Sequence, residues 1–131
     1  MVSKSTYLQT FNKQFLDFLD DILIIFPNNK DILNMQNTIL SVKKINPSIL
    51  IKLWYSFVYQ PYHSKIENDD ISFFLEKNYS EDIKLLDDQK TTLEAIEKLR
   101  NPIKELDSEN QLKCMKYLKN LSLLSKMYNE Q

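Results

Sequence analysis

The chain has 131 residues, 43% of them apolar and 27% charged, with a net charge of −1. That is long enough for one self-sufficient hydrophobic core and too apolar for a disordered chain. It is also too evenly charged for a general nucleic-acid or membrane-surface binder.

The composition holds no Gly, a single Ala (Ala95) and a single Arg (Arg100), against abundant Ile, Asn and Lys. This skew matches A/T-rich codon usage. It also has a structural consequence, because Gly supplies most of the left-handed backbone positions that tight hairpins need. A β-rich fold is not expected on that ground. Helices joined by Asn, Asp, Ser and Pro turns are the expected solution. The lone Cys114 forms no internal disulfide and no cysteine metal cluster, which fits a reducing compartment. The N-terminal stretch lacks the apolar core of a signal peptide, and runs such as Ile22–Phe26 fall short of a membrane span. The expectation is a soluble, intracellular protein.

Taken in order, the first helix is expected over Thr6–Phe26 with Ser5 as its cap. Leu8, Phe11, Phe15, Phe18, Leu19, Ile22, Ile25 and Phe26 recur at helical spacing on one broad face. Pro27, Asn28 and Asn29 end it. The second covers Lys30–Ile45, capped by Asn28 or Asn29, with Asp31 in its first turn and Lys43 and Lys44 in its last, as the helix dipole favours. Asn46-Pro47 pairs a capping residue with proline at the first helical position and opens a third helix to about Tyr59. That segment is apolar nearly all round, with Lys52 its only charge, and reads as a central helix, about 47–59, buried on several sides. Pro61 interrupts or kinks it, and a turn or two follows to Glu67.

Beyond Asn68 the pattern is weaker. Asp70 caps a short helix over Ile71–Glu76, Ser80 another over Glu81–Leu86, and Thr91 or Thr92 begins one through Leu99 that Pro102 breaks or bends. Ser108-Glu-Asn-Gln111 fits a capping box for a last helix from Glu109 to about Tyr128. Cys114, Tyr117, Leu118, Leu121, Leu124 and Tyr128 form one apolar face of it, and Leu112, Met115, Leu123 and Met127 a second. The fold class is therefore all-α: one domain over 1–131, a single compact bundle of five to seven helices.

No catalytic constellation emerges. His63, the only histidine, lacks a His or Cys companion, and it reads as a turn residue. Asp17 and Asp21 lie one turn apart, where a second carboxylate pair would be needed to hold a cation, and they read as a solvated face. Cys114 sits on an apolar face with nothing in sequence to activate it. Without Gly, neither a P-loop nor a dinucleotide fingerprint can be written. Trp54, Tyr55, Phe57, Tyr59 and Tyr62 are of the type that stacks bases, but at helical spacing with so few lysines they read as core. No cofactor, metal or small-molecule substrate is expected. The residues left for function are an interaction surface: Leu112, Met115, Leu123 and Met127 on the second face of the last helix, and Tyr62 and His63 at the helix break.

Three segments carry a resemblance: FNKQFLDFLDDILIIFPNNKDI (Phe11–Ile32), NPSILIKLWYSFVYQPY (Asn46–Tyr62) and IENDDISFFLEKNY (Ile66–Tyr79), followed by KYLKNLSLLS near the end. In order and spacing the chain resembles a family of small helical proteins of nucleocytoplasmic large DNA viruses, the giant viruses and phycodnaviruses. The resemblance implies a setting, the virion or the viral factory in the host cytoplasm, and no site residues. The expected role is a non-enzymatic interaction or structural protein with a protein partner or a second copy of itself. The alternatives are a nucleic-acid-associated accessory factor of viral replication or transcription, using Lys113, Lys116, Lys119 and Lys126, and a carboxylate-metal enzyme on Asp17 and Asp21.

Overall fold

A computed structural model describes residues 3–82, 84 and 89–131. Among them there is no strand. The elements are α1 (Lys4–Ile25), α2 (Lys30–Ile45), α3 (Ile49–Trp54), a π-helical turn (Tyr55–Tyr59), α4 (Gln60–Glu67), α5 (Ile71–Glu76), α6 (Gln89–Lys104) and α7 (Ser108–Asn129). The all-α bundle is as expected. A helix over Glu81–Leu86 falls largely outside the described residues, and Ser80, Glu81, Asp82 and Lys84 lie in turns.

The core is built on α1 and α7, which run antiparallel. Lys4 lies over the ring of Tyr128 at one end, and Tyr117 stacks on Phe18 and donates its hydroxyl to Asp21 at the other. Phe11, Phe15, Phe18, Leu19 and Ile22 on α1 are buried, as their spacing predicts, and meet Cys114, Leu121 and Tyr128 of α7. Ser122 and Ser125 on α7 are buried too. Their small side chains let neighbouring helices approach, and Ser125 satisfies its hydroxyl on the Ser122 carbonyl at 2.7 Å. Ile32 and Ile39 fasten α2 to this core, and Ile103 fastens α6.

Caps fix the helix ends. Ser3, two residues earlier than expected, caps α1 by accepting from the Thr6 N–H. Asn29 caps α2 and Asp70 caps α5, each through its side-chain oxygen, as expected. In α7 the capping box gives way to Asp107, which accepts from Asn110 N–H at 2.9 Å. A carboxylate caps at least as well as a hydroxyl and adds charge against the helix dipole. Gln111 is thereby free to reach back to the Ile103 carbonyl.

Segment 47–59 lies against α1 and α7, but its burial is one-sided. Ile51 is fully buried, Trp54 and Phe57 are half-buried, and Leu53 is exposed. Its start is a turn, with Asn46 accepting from both the backbone and the hydroxyl of Ser48. Pro61 does not end the helix. Proline has no N–H for the carbonyl of residue 57, and its ring crowds that carbonyl. The chain widens into the π turn just before it, bends at Tyr62 (φ −127°, ψ 15°), and continues to Glu67. There Asp69 adopts φ 55° and closes the helix, with Asp69 N–H bonded to the Ile66 carbonyl and Asp70 N–H to the Lys65 carbonyl. This pattern ordinarily uses Gly. Aspartate, whose short polar side chain tolerates the left-handed region, serves in a chain that has none.

Candidate functional site

Two concave features stand out, a polar-rimmed groove and a half-open apolar cavity. The first is a groove of about 330 Å3 between α4 with its preceding π turn and α7. One wall carries Tyr59, His63 and Glu67; the other carries Lys119, Leu123 and Lys126, over buried Ile66 and Ser122. Helical spacing sets Tyr55, Tyr59 and His63 one above another. Tyr55 and Tyr59 stack at 5.5 Å, and His63 lies against Tyr59 at 5.6 Å. Leu123 remains 57% exposed. Lys119 pairs with Asp69 at 2.6 Å, and Lys126 stands 3.9 Å from Glu130.

The expected interaction residues divide accordingly. The fold brings His63 and Leu123 together on this groove. Leu112 is exposed on α7 about 16 Å farther along the axis, on nearly the same angular stripe. Met127 is half-buried. Met115 is corrected out of the surface, since it is 1% exposed and packs with Ile66 and Phe74 in a second apolar cluster. The apolar second face of α7 is thus split, because α7 is flanked by α1 on one side and by α3 to α4 on the other. Tyr62 also turns inward. It is half-buried against Phe73, Phe74 and Tyr79 and donates its hydroxyl to Asp82.

The second feature is a cavity of about 340 Å3, walled by residues such as Phe15, Trp54, Phe57, Leu99, Ile103 and Leu118. Its surface is almost wholly carbon. The polar groups along it are engaged. Trp54 Nε1–H donates to Ser122 Oγ at 2.9 Å and Tyr79 donates to the Phe74 carbonyl at 3.1 Å. Arg100 donates to the Phe74 and Lys77 carbonyls, pairs with Glu97, and lies 5.2 Å from the Tyr79 ring centre. Its Nε–H alone is buried without a partner. Lys77 sits over the rings of Tyr62, Phe73 and Tyr79 with Asp82 at 3.9 Å. Burial, then the Asp82 hydrogen bond, pushes the Tyr62 hydroxyl above its ordinary range, and burial pushes Tyr79 up to about 12. Both phenols stay protonated donors. Sequence reasoning missed Arg100 and Asp82 because the bonds that place them, to the Phe74 and Lys77 carbonyls and to Tyr62, span twenty or more residues; the sole arginine in the chain was the only available signal.

The other candidates are accounted for locally. Asp17 binds Lys13, Asp20 accepts from Gln36, and Asp21 accepts from Tyr117. No group of three or more His, Cys, Asp or Glu among the described residues is placed to hold a metal. Burial, with Asp21 nearby, raises the Cys114 thiol to about 11, so at neutral pH it is not a thiolate. Among the described residues no helix is long and apolar enough to cross a membrane.

No protein-family model, curated protein or solved structure matches the chain.

Proposed function

We propose that the chain is a non-enzymatic helical interaction protein that takes an acidic, amphipathic segment of a protein partner into the groove between α4 and α7. The observation that carries this reading is the exposed Leu123 beside Tyr59 and His63, with α7 lysines along the same stripe. Leu112, Lys116, Lys119, Leu123 and Lys126 follow one another at three- and four-residue spacing on α7, giving apolar anchors alternating with positive charge. A partner helix with its own apolar residues and interspersed carboxylates is complementary to that pattern. The setting that the sequence resemblance implies, a virion or the viral factory in host cytoplasm, belongs to this proposal.

A nucleic-acid-associated role uses the same lysines. It is less well supported, because Tyr55, Tyr59 and His63 cover one another's faces and leave little ring surface for a base to stack on. The experiment compares wild type with Leu123→Glu in affinity capture from infected cells at low and moderate salt, with circular dichroism to confirm folding. The reading expects a partner retained by wild type and lost by the variant. An identical captured set overturns it. A salt-sensitive gel shift on single-stranded nucleic acid, abolished by Lys116→Glu with Lys126→Glu, would favour the second role instead.

A further inference from the structure

We infer that the half-open apolar cavity is a binding site for one uncharged, lipophilic small molecule. Three features of the cavity suit such a ligand. Its volume, about 340 Å3, lies within the range of ligand pockets and is about twice that of an apolar cavity that holds benzene. Its wall is drawn from seven helical elements, among them Phe15 from α1, Trp54 from α3, Phe57 from the π turn, Phe74 from α5, Leu99 from α6 and Leu118 from α7. A π turn inside a helix is rare and recurs at functional sites, and here it contributes Phe57 and Val58 to the wall.

The chemistry of the wall selects the ligand. A trapped water needs two to four polar partners, and this surface offers almost none. Trp54 Nε1, the Tyr62 and Tyr79 hydroxyls and the Arg100 terminal nitrogens are all committed to protein acceptors. Arg100 and Asp82, the charged side chains of its wall among the described residues, are paired with Glu97 and Lys77 respectively. An ionised ligand would lose part of its hydration and find no free counter-charge among the described residues. An alkyl chain or a fused aromatic ring avoids that cost and buries apolar surface against the wall. The site is distinct from the α4–α7 groove, and neither reading depends on the other.

The chain has a single Trp, and Trp54 is part of the cavity wall, which supplies the readout. Purified full-length protein is titrated with the uncharged fluorophore N-phenyl-1-naphthylamine while Trp54 emission is followed. The inference expects saturable quenching at one probe per chain. It also expects at least tenfold weaker binding in Ile96→Phe and Leu118→Phe, each of which fills part of the cavity, with circular dichroism selecting whichever variant folds as wild type. In competition, 1-decanol should displace the probe at a concentration at least tenfold below that of decanoate or decylammonium. Absence of saturable quenching, equal binding by a folded filled variant, or displacement by decanoate as effective as by decanol overturns the inference.

Discussion

The indole of Trp54 donates to the hydroxyl of Ser122 at 2.9 Å, across 68 residues of sequence, and ties α3 to α7. The same indole stands edge-on to Phe11 and Phe15 at 6.1 and 5.9 Å, so one side chain joins α1, α3 and α7. Ser122 is 3% exposed, so the bond is shielded from water on the α7 side. Ser122→Ala should therefore cost about 1–3 kcal/mol through the orphaned indole N–H. Trp54→Phe should cost more, because it also loses area. A double-mutant cycle by urea denaturation should show coupling of at least about 0.5 kcal/mol, and purely additive effects would contradict the bond.

Asn12 is 2% exposed, donates Nδ2–H to the Pro47 carbonyl at 2.9 Å, and leaves its Oδ1 without a partner. Asn12→Asp puts a carboxylate where the donor was. Its protonated form is favoured in the folded chain, while the unfolded chain ionises near pH 4, so the destabilisation grows as pH rises through that value. We expect a loss of about 3 kcal/mol or more at pH 7, the scale of an unpaired buried charge. The loss should be clearly smaller at pH 3, each compared with wild type at the same pH by urea denaturation.

Met115 and Leu123 test how α7 divides its apolar residues. Met115→Ala removes a side chain enclosed by Ile66 and Phe74 and should cost about 2–5 kcal/mol. Leu123→Ala, at 57% exposure, should stay within about 0.5 kcal/mol of wild type. Comparable losses at the two positions would mean that the Leu123 side of α7 is covered in solution. Light scattering of wild type at high concentration would then show a species larger than the monomer.

Local signals in the sequence are read correctly where the physics is local. Asn29 and Lys30–Ile45 follow from a capping residue and a charge pattern, and Phe11 to Ile22 follow from spacing alone. Ser3 and Ser5 are chemically equivalent caps, so sequence does not separate them. The one-sided burial of segment 47–59 was not legible either, because an all-round apolar helix looks the same whether it is encased or borders a cavity. The π turn has only Pro61 as its forewarning. Of the candidate site, His63 and Leu123 were foreseen as interaction residues but not as neighbours. Their meeting is set by the angle at which α4 crosses α7, which no short-range pattern encodes. Met115 was misplaced for the same reason.

Asp69 holds the left-handed position that ends α4, where a side chain with a Cβ is disfavoured. Asp69→Ala should destabilise by about 1 kcal/mol, since Ala lacks the polar group that makes the position tolerable. Asp69→Gly should match or exceed wild type, because relief of the backbone outweighs the exposed ion pair with Lys119, which is worth at most about 1 kcal/mol. Thermal denaturation of the three proteins side by side should order them Gly, Asp, Ala. A Gly variant below Ala would mean that the Lys119 contact, not the turn, sets this corner.

Alkaline pH should loosen the bundle before it affects exposed groups. Burial raises Cys114 from 9.0 to about 11 and Tyr79 from 10.0 to about 12, and burial together with a carboxylate acceptor raises Tyr62 and Tyr117 further. In each case the folded chain keeps a proton that the unfolded chain releases. Above about pH 9 the unfolded state therefore binds fewer protons, and stability falls as pH rises. The contribution is fully present below pH 9, shrinks first through Cys114, and shrinks further above pH 10 as the tyrosines of the unfolded chain ionise. Urea midpoints should be flat from pH 7 to 8.5 and drop steadily to pH 11. Tyr117→Phe should be weaker than wild type at pH 7, by about 1 kcal/mol for the lost hydrogen bond to Asp21. It should also show a shallower decline above pH 10, since one titrating group is gone. An unchanged slope in that variant would assign the alkaline loss to the remaining groups and show that Tyr117 titrates alike in both states.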